Sequence, residues 1–270
     1  MSSNCSHECS SCEKSCILKE SLAEGSSVKK VIGIVSGKGG VGKSTVTSML
    51  AVAANRMGLR TAVLDADITG PSIPKAFGIT EKATGDDKYL YPSVSRGGVQ
   101  IMSMNLLLES DTQPVIWRGP VIAGVLKQFW NEVLWKDVDV MFVDMPPGTG
   151  DVPLTVYQSL PLDGIIVVTT PQQLVSMIVE KAVNMAEKMN IPVLGVVSNM
   201  SYFVCPDCSN KHYIFGKTDR FLTDMREKNI PTAELPMEEN AAKMCDEGRI
   251  EEYNGKTMEI IKEFFEKNIK

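Results

Sequence analysis

The chain has 270 residues, 43% of them hydrophobic, and a net charge of −5 at neutral pH. That apolar content is enough for a large core, and the acidic balance excludes general nucleic-acid binding by the surface as a whole. No apolar run reaches the ~18 residues of a membrane-spanning helix, and the polar, cysteine-rich N-terminus lacks the apolar stretch of a signal peptide. A cytoplasmic location without membrane attachment is therefore expected, where the seven cysteines stay reduced and serve metals in preference to disulfides.

In chain order the first chemistry is Cys5, Cys9, Cys12 and Cys16, spaced C-x3-C-x2-C-x3-C. Four thiols this close suit one cluster held within a single chain, with His7 as a substitute ligand. A zinc knot and a flexible thiol tail are the rival readings. The surrounding Ser, Glu and Lys residues cannot build a core, so residues 1–28 read as a tail that orders only around metal. No Pro/Gly/Ser-rich linker divides residues 29–270, which read as one domain.

An apolar strand, Val31–Val35, runs into G-K-G-G-V-G-K-S at Gly37–Ser44, and a helical pattern follows through Val46, Met49, Leu50, Ala53, Ala54 and Met57. Strand, glycine-rich loop and helix at this spacing are a phosphate-binding P-loop. Gly37, Gly39, Gly40 and Gly42 let the backbone curl so that N–H groups point at phosphate oxygens. Val41 and Thr45 complete the cradle, and the helix adds its positive end. Lys43 should reach the β- and γ-phosphates of ATP, and Ser44 should ligate Mg²⁺.

Thr61–Leu64 is the next strand and ends in Asp65 and Asp67, which fall on one side of an extended chain. Carboxylates at a strand's carboxyl edge beside a nucleotide hold Mg²⁺ or orient water. After a strand at Val99–Met102 and a helix through Val121, Val125, Leu126, Phe129 and Trp130, the apolar strand Val138–Val143 ends in Asp144. Asp144 is placed to bind Mg²⁺ through water. Residues 145–151 bring two prolines and two glycines, and Gly148 can offer its N–H to the γ-phosphate, as a switch does. Strands at Ile165–Thr169 and Val193–Ser198 bracket a helix through Leu174, Ile178, Ala182 and Met185. Asn199 follows as an amide suited to adenine, with Pro236 and Met237 as further pocket walls. Strands alternating with helices, nearly all apolar, predict an α/β fold with a mostly parallel sheet covered on both faces. The nucleotide should lie at its carboxyl edge.

Cys205-Pro206-Asp207-Cys208 is a C-x-x-C. Two thiolates at this spacing grip one metal or one cluster edge but supply only half of a closed four-thiolate site. Spacing alone does not separate iron from zinc or from a redox dithiol. Cys245, in a helical charged context, reads as an incidental thiol.

The early Lys38 in the P-loop resembles the deviant Walker A loop of the ParA, MinD, ArsA and nitrogenase iron-protein superfamily. With D-A-D-x-x-G-P-S (65–72), W-R-G-P (117–120), D-x-P-P-G-T-G-D (144–151), S-N-M (198–200) and C-P-x-C (205–208), residues 29–250 resemble the Mrp/ApbC family of iron–sulfur cluster carriers. The resemblance implies a P-loop ATPase that hydrolyses ATP as a nucleotide-sandwich homodimer, with Lys38 acting across the interface. It implies Asp67 positioning the attacking water, Asp65 near the metal, and a 4Fe–4S cluster bridged by Cys205 and Cys208 of two protomers. Recipient apo iron–sulfur proteins and cluster-assembly partners follow from the same likeness. Two alternatives share the loop: a partitioning or positioning ATPase with structural thiols, and an ATP-dependent electron donor.

Overall fold

The structure is a computed structural model that describes residues 20–67, 72–107, 119–148, 150–216 and 220–269. Cys5, Cys9, Cys12, Cys16 and His7 lie outside these residues, as do Ile68 to Pro71, Trp117, Arg118 and Thr149. The elements in order are β1 (Val31–Ser36), α1 (Lys43–Arg56), β2 (Thr61–Asp65), α2 (Ser72–Ala76), β3 (Thr84–Gly85), β4 (Leu90–Tyr91), β5 (Ser93–Val94) and β6 (Gln100–Ser103). There follow α3 (Gly119–Asn131), β7 (Val140–Asp144), α4 (Asp151–Ser159), β8 (Gly164–Thr169), α5 (Gln173–Lys188), β9 (Val193–Val204) and β10 (Lys211–His212). The chain closes with α6 (Arg220–Glu227), β11 (Thr232–Pro236), α7 (Glu239–Asp246) and α8 (Lys256–Asn268).

Among the described residues the main sheet has nine strands, ordered β10-β9-β8-β1-β7-β2-β6-β5, with β11 also on β9. All pairings are parallel except β5 on β6 and β10 on β9. The predicted α/β fold is therefore the observed one. Its central strands are apolar on both sides because both sides are covered. Ile32, Ile34, Val140, Phe142, Ile166 and Val168 face one core with α1 and α8. Val31, Val35, Met141, Val143, Ile165 and Val167 face the other with Phe129, Trp130, Tyr157 and Phe221. Alternation along each strand thus feeds two cores at once.

β9 departs from expectation. It does not stop at Ser198 but runs to Val204, so Asn199 lies within the strand. Met200 adopts a left-handed conformation (φ 55°), and the pairing with β11 shifts register between Glu234 and Pro236. A bulge of this kind re-aims a side chain while letting a strand continue. Residues 20–28, assigned to the tail on sequence grounds, hydrogen-bond to the body: Glu20 N–H to Ser159 O, Ser27 N–H to Trp135 O, and Trp130 Nε1 to Glu20 O.

The amphipathic C-terminal helix α8 buries Met258, Ile261, Phe264 and Phe265 against β7, β11 and α1. No helix among the described residues is long and apolar enough to cross a membrane. Phe265 is 1% exposed, and its ring lies 6.0 Å from that of Phe142. Phe265→Ala should therefore cost about 3–5 kcal/mol, a fall in Tm of roughly 2–4 °C per kcal/mol, read by thermal unfolding. An unchanged Tm would mean that α8 does not hold the core.

Candidate nucleotide and metal sites

The P-loop leaves β1 at its carboxyl end and enters α1. Gly40 and Gly42 take left-handed φ values of 78° and 79°, which L side chains rarely adopt. At Gly42 the constraint is doubled, because a Cβ there would lie 2.3 Å from Asn199 Nδ2. That amide donates to Val41 O at 3.0 Å. The bulge in β9 thus brings Asn199 onto the loop, beside a cavity of about 400 Å³ walled by Val46, Met49, Phe203, Pro236 and Met237. Gly42 and Thr45 line both this cavity and a second one of about 280 Å³, which contains Lys38, Gly39, Gly40, Lys43, Ser44 and Asp67. One cleft offers apolar walls and an amide; the next offers cations, hydroxyls and open backbone. The pair has the layout of a base pocket and a phosphate pocket.

Asp144, fully buried at the end of β7, is the hub. Its Oδ2 accepts from Ser44 Oγ at 2.7 Å, and its Oδ1 accepts from Thr47 Oγ1 at 2.7 Å. Lys43 Nζ lies 2.8 Å from Asp144 and 3.3 Å from Asp67. Burial works against the charge on Lys43, but the carboxylates of Asp144 and Asp67 outweigh it and hold the ammonium above its usual pKa. Two carboxylate contacts engage at most two of the three ammonium N–H groups. A buried cation with donors to spare fits a phosphate, and the oxygens of Ser44 and Asp144 suit Mg²⁺.

Two expected phosphate ligands are engaged within the chain. Gly148 N–H donates to Ser36 O at 2.8 Å, and Lys38 Nζ donates to Gln172 Oε1 at 2.6 Å. Asp65 sits beside Asp144 across the β2–β7 pairing. It accepts from Ser103 Oγ at 2.8 Å and from Asp67 N–H at 3.1 Å. Burial, then the Asp144 charge, push the Asp65 carboxyl well above the usual carboxylate range, against the opposing pull of Ser103 and Lys43.

Cys205 and Cys208 lie in the turn between β9 and β10. Cys205 N–H donates to Asn210 O and Ser209 N–H to Cys205 O, both at 2.9 Å, with Ser209 left-handed at φ 58°. The knuckle aims the backbone N–H groups of Cys208 and Asp207 at the Cys205 sulfur and holds its pKa below the ordinary thiol value. Both thiols are free, and Cys208 is exposed. His212, which the sequence reading passed over, brings its ring to the same place. Cys245 sits in α7 beside Thr45, its thiol pushed up by burial.

Residues 27–269 match the family described as the NUBPL iron-transfer P-loop NTPase, of the ParA type. The chain belongs to this family. The iron–sulfur cluster carrier protein of Clostridium perfringens is 45% identical over 235 residues, covering 84% of this chain and 82% of that one. A nucleotide-binding protein of Archaeoglobus fulgidus, solved in complex with ADP, superposes with a TM-score of 0.77 at 40% identity, covering 87% of this chain and 92% of the other. The cell division ATPase MinD of Pyrococcus furiosus superposes at 0.63 with 19% identity, covering 88% and 97%, which is a likeness of fold.

In this member of the family the sequence pointed to the P-loop, both acidic strand ends and the two thiols. It missed Thr47, one helical turn after Lys43; Ser103, at the end of β6; and Gln172, before α5. Thr47 left a signal, as a hydroxyl at helical spacing from the P-loop lysine, and so did His212, with three residues between it and the second thiol; Ser103 and Gln172 left none.

Asp65 yields a pH test. Its folded pKa is raised, so the native state holds this proton more tightly than the unfolded chain does. The associated stability is greatest below the unfolded value, about 3.9, and is lost as pH rises through the folded value. Asp65→Asn should raise the Tm at pH 7, with the gain shrinking toward pH 4. A lower Tm at pH 7 would mean that an ionised Asp65 is stabilised by Lys43.

Proposed function

We propose that the chain is an ATP-binding and ATP-hydrolysing carrier of iron–sulfur clusters that holds a 4Fe–4S cluster between two copies of itself and passes it to apo-proteins in the cytoplasm. The observation that carries this reading is the course of β9. Asn199 and Phe203 on that strand meet the cleft of the P-loop, and its end presents Cys205 and Cys208 free and accessible. Family membership and the 45% identity to a protein named as a cluster carrier support the same reading.

The cluster is cargo. Two thiolates per protomer would supply the four that a cluster needs, and an isologous interface brings the same residues of two copies together. Around the thiols Phe203, Val204 and Ile214 expose apolar side chains, surface of the kind that a second copy covers. In the nucleotide site, Ser44 and Asp144 would hold Mg²⁺, with Asp65 behind them. The ion supplies charge neutralisation for the phosphates. Lys43 and the P-loop backbone from Gly37 to Thr45 would bind the phosphates, and Asn199 and Pro236 the base. Asp67 would orient the attacking water. Lys38 would leave Gln172 to reach the partner's nucleotide, and Gly148 would leave Ser36 for the γ-phosphate. Residues 29–270 act as the ATPase domain, and Cys5, Cys9, Cys12 and Cys16 in the tail would hold a second cluster.

A partitioning ATPase has no use for two accessible thiols at the end of the strand that walls its base pocket. The test is anaerobic reconstitution with iron and sulfide. Wild type should take up a cluster per dimer that Cys205→Ser/Cys208→Ser loses, with any remaining iron lost on removal of residues 1–19. Lys43→Ala should lose nucleotide binding, keep the bridging cluster and transfer it more slowly. Equal cluster content in the cysteine variant would remove the carrier function, and unchanged transfer in Lys43→Ala would remove the coupling to ATP.

A further inference from the structure

We propose that each single protomer binds one thiolate-seeking divalent ion, of the Zn²⁺ or Fe²⁺ class, through Cys205, Cys208 and His212. The inference rests on the proposed cluster site only in sharing its two thiols. The eight residues from Cys205 to His212 space their ligands C-x2-C-x3-H. The chain folds back after the knuckle, and β10 pairs antiparallel with the end of β9, Lys211 opposite Val204 and His212 opposite Phe203. That register returns His212 to the thiols. One ligand atom from each of the three residues lies within 4.8 Å of the other two.

A tetrahedral ion with sulfur at ~2.3 Å and nitrogen at ~2.0 Å holds its ligand atoms roughly 3.5–3.8 Å apart. Ligand atoms no more than 4.8 Å apart thus lie within ~1.3 Å of that coordinating spacing. The backbone is already set by the turn hydrogen bonds of Cys205, Ser209 and Asn210. His212 is exposed, and its ring makes no hydrogen bond to another described residue, so closing on an ion breaks nothing in the fold. Two thiols and an imidazole suit soft and borderline ions and not Mg²⁺ or Ca²⁺. Three protein ligands leave the fourth position open, the pattern of an exchangeable site and not of a closed structural one.

A four-thiolate bridge between protomers has no place for His212. The loop therefore has two uses: three ligands on one ion in a lone protomer, or two thiolates on a shared cluster in the dimer. A protomer loaded in the first way carries metal before it pairs, and His212 is the ligand released when the partner's thiolates arrive.

The experiment uses the full-length chain with Cys5, Cys9, Cys12 and Cys16 changed to Ser, reduced and anaerobic, and titrates it with Co²⁺ as a spectroscopic probe. The expected result is one tetrahedral Co²⁺ per protomer with thiolate charge-transfer bands and monomeric mass, displaced by Zn²⁺ or Fe²⁺. His212→Ala should weaken Co²⁺ binding roughly tenfold or more while the cluster reconstituted per dimer stays unchanged. Cys205→Ser/Cys208→Ser should lose both. A His212→Ala variant that titrates like its parent, or one ion per two protomers at dimer mass, overturns the mononuclear site and leaves the bridge standing. Weakened Co²⁺ binding in His212→Ala, in a parent that takes up no cluster, keeps this site and removes the bridge.

Discussion

The structure depends on one buried carboxylate. Asp144 ends the central strand β7 with no exposure to solvent and binds the first turn of α1 through Ser44, Thr47 and Lys43. A lone buried carboxylate would cost several kcal/mol. Three polar partners from one helix turn offset that cost and fix where α1 sits on the sheet. Because the glycine-rich loop lies between β1 and α1, fixing α1 fixes the loop. The same contacts are those that a nucleotide and its metal would exchange, so the site is organised before anything binds and needs no large refolding to open.

The second organising feature is β9. Most strands of the sheet end at its carboxyl edge, whereas β9 continues through a left-handed Met200 to Val204. Its inner part pairs in the sheet with β8 and β11, its middle contributes Asn199 and Phe203 to the cavity beside the P-loop, and its end enters the cysteine knuckle. Phe203 also pairs with His212. The cavity wall at Phe203 and the thiol turn are therefore joined by a single strand and its ladder.

Surface pairs such as Lys75 with Asp246 and Lys88 with Glu24 are exposed and screened, and they contribute little to stability. Stability resides in the two apolar cores on either face of the sheet, with α1 nearly wholly buried between β7 and α8. A site held on a rigid core at the ends of several strands keeps its geometry while its loops change partners.

The sequence by itself determined the α/β class, the P-loop with Lys38 and Lys43, the acidic strand ends at Asp65 and Asp144, and the thiol pair. In each case the chemistry requires residues close together in the chain: a backbone curl, a strand terminus, a two-residue spacing. Only the tertiary structure decided what comes from afar. Asn199 reaches Gly42 across 157 positions because a bulge turns it there, and Ser103 meets Asp65 because β6 lies beside β2. Lys38 rests on Gln172 because β8 pairs with β1. His212 was written at a legible spacing from Cys208, but only the antiparallel register of β10 brings its ring to the thiols. Local periodicity and spacing report on backbone conformation, whereas strand order and register are set by how two faces of one sheet bury their side chains together, and a single chain position carries no record of that.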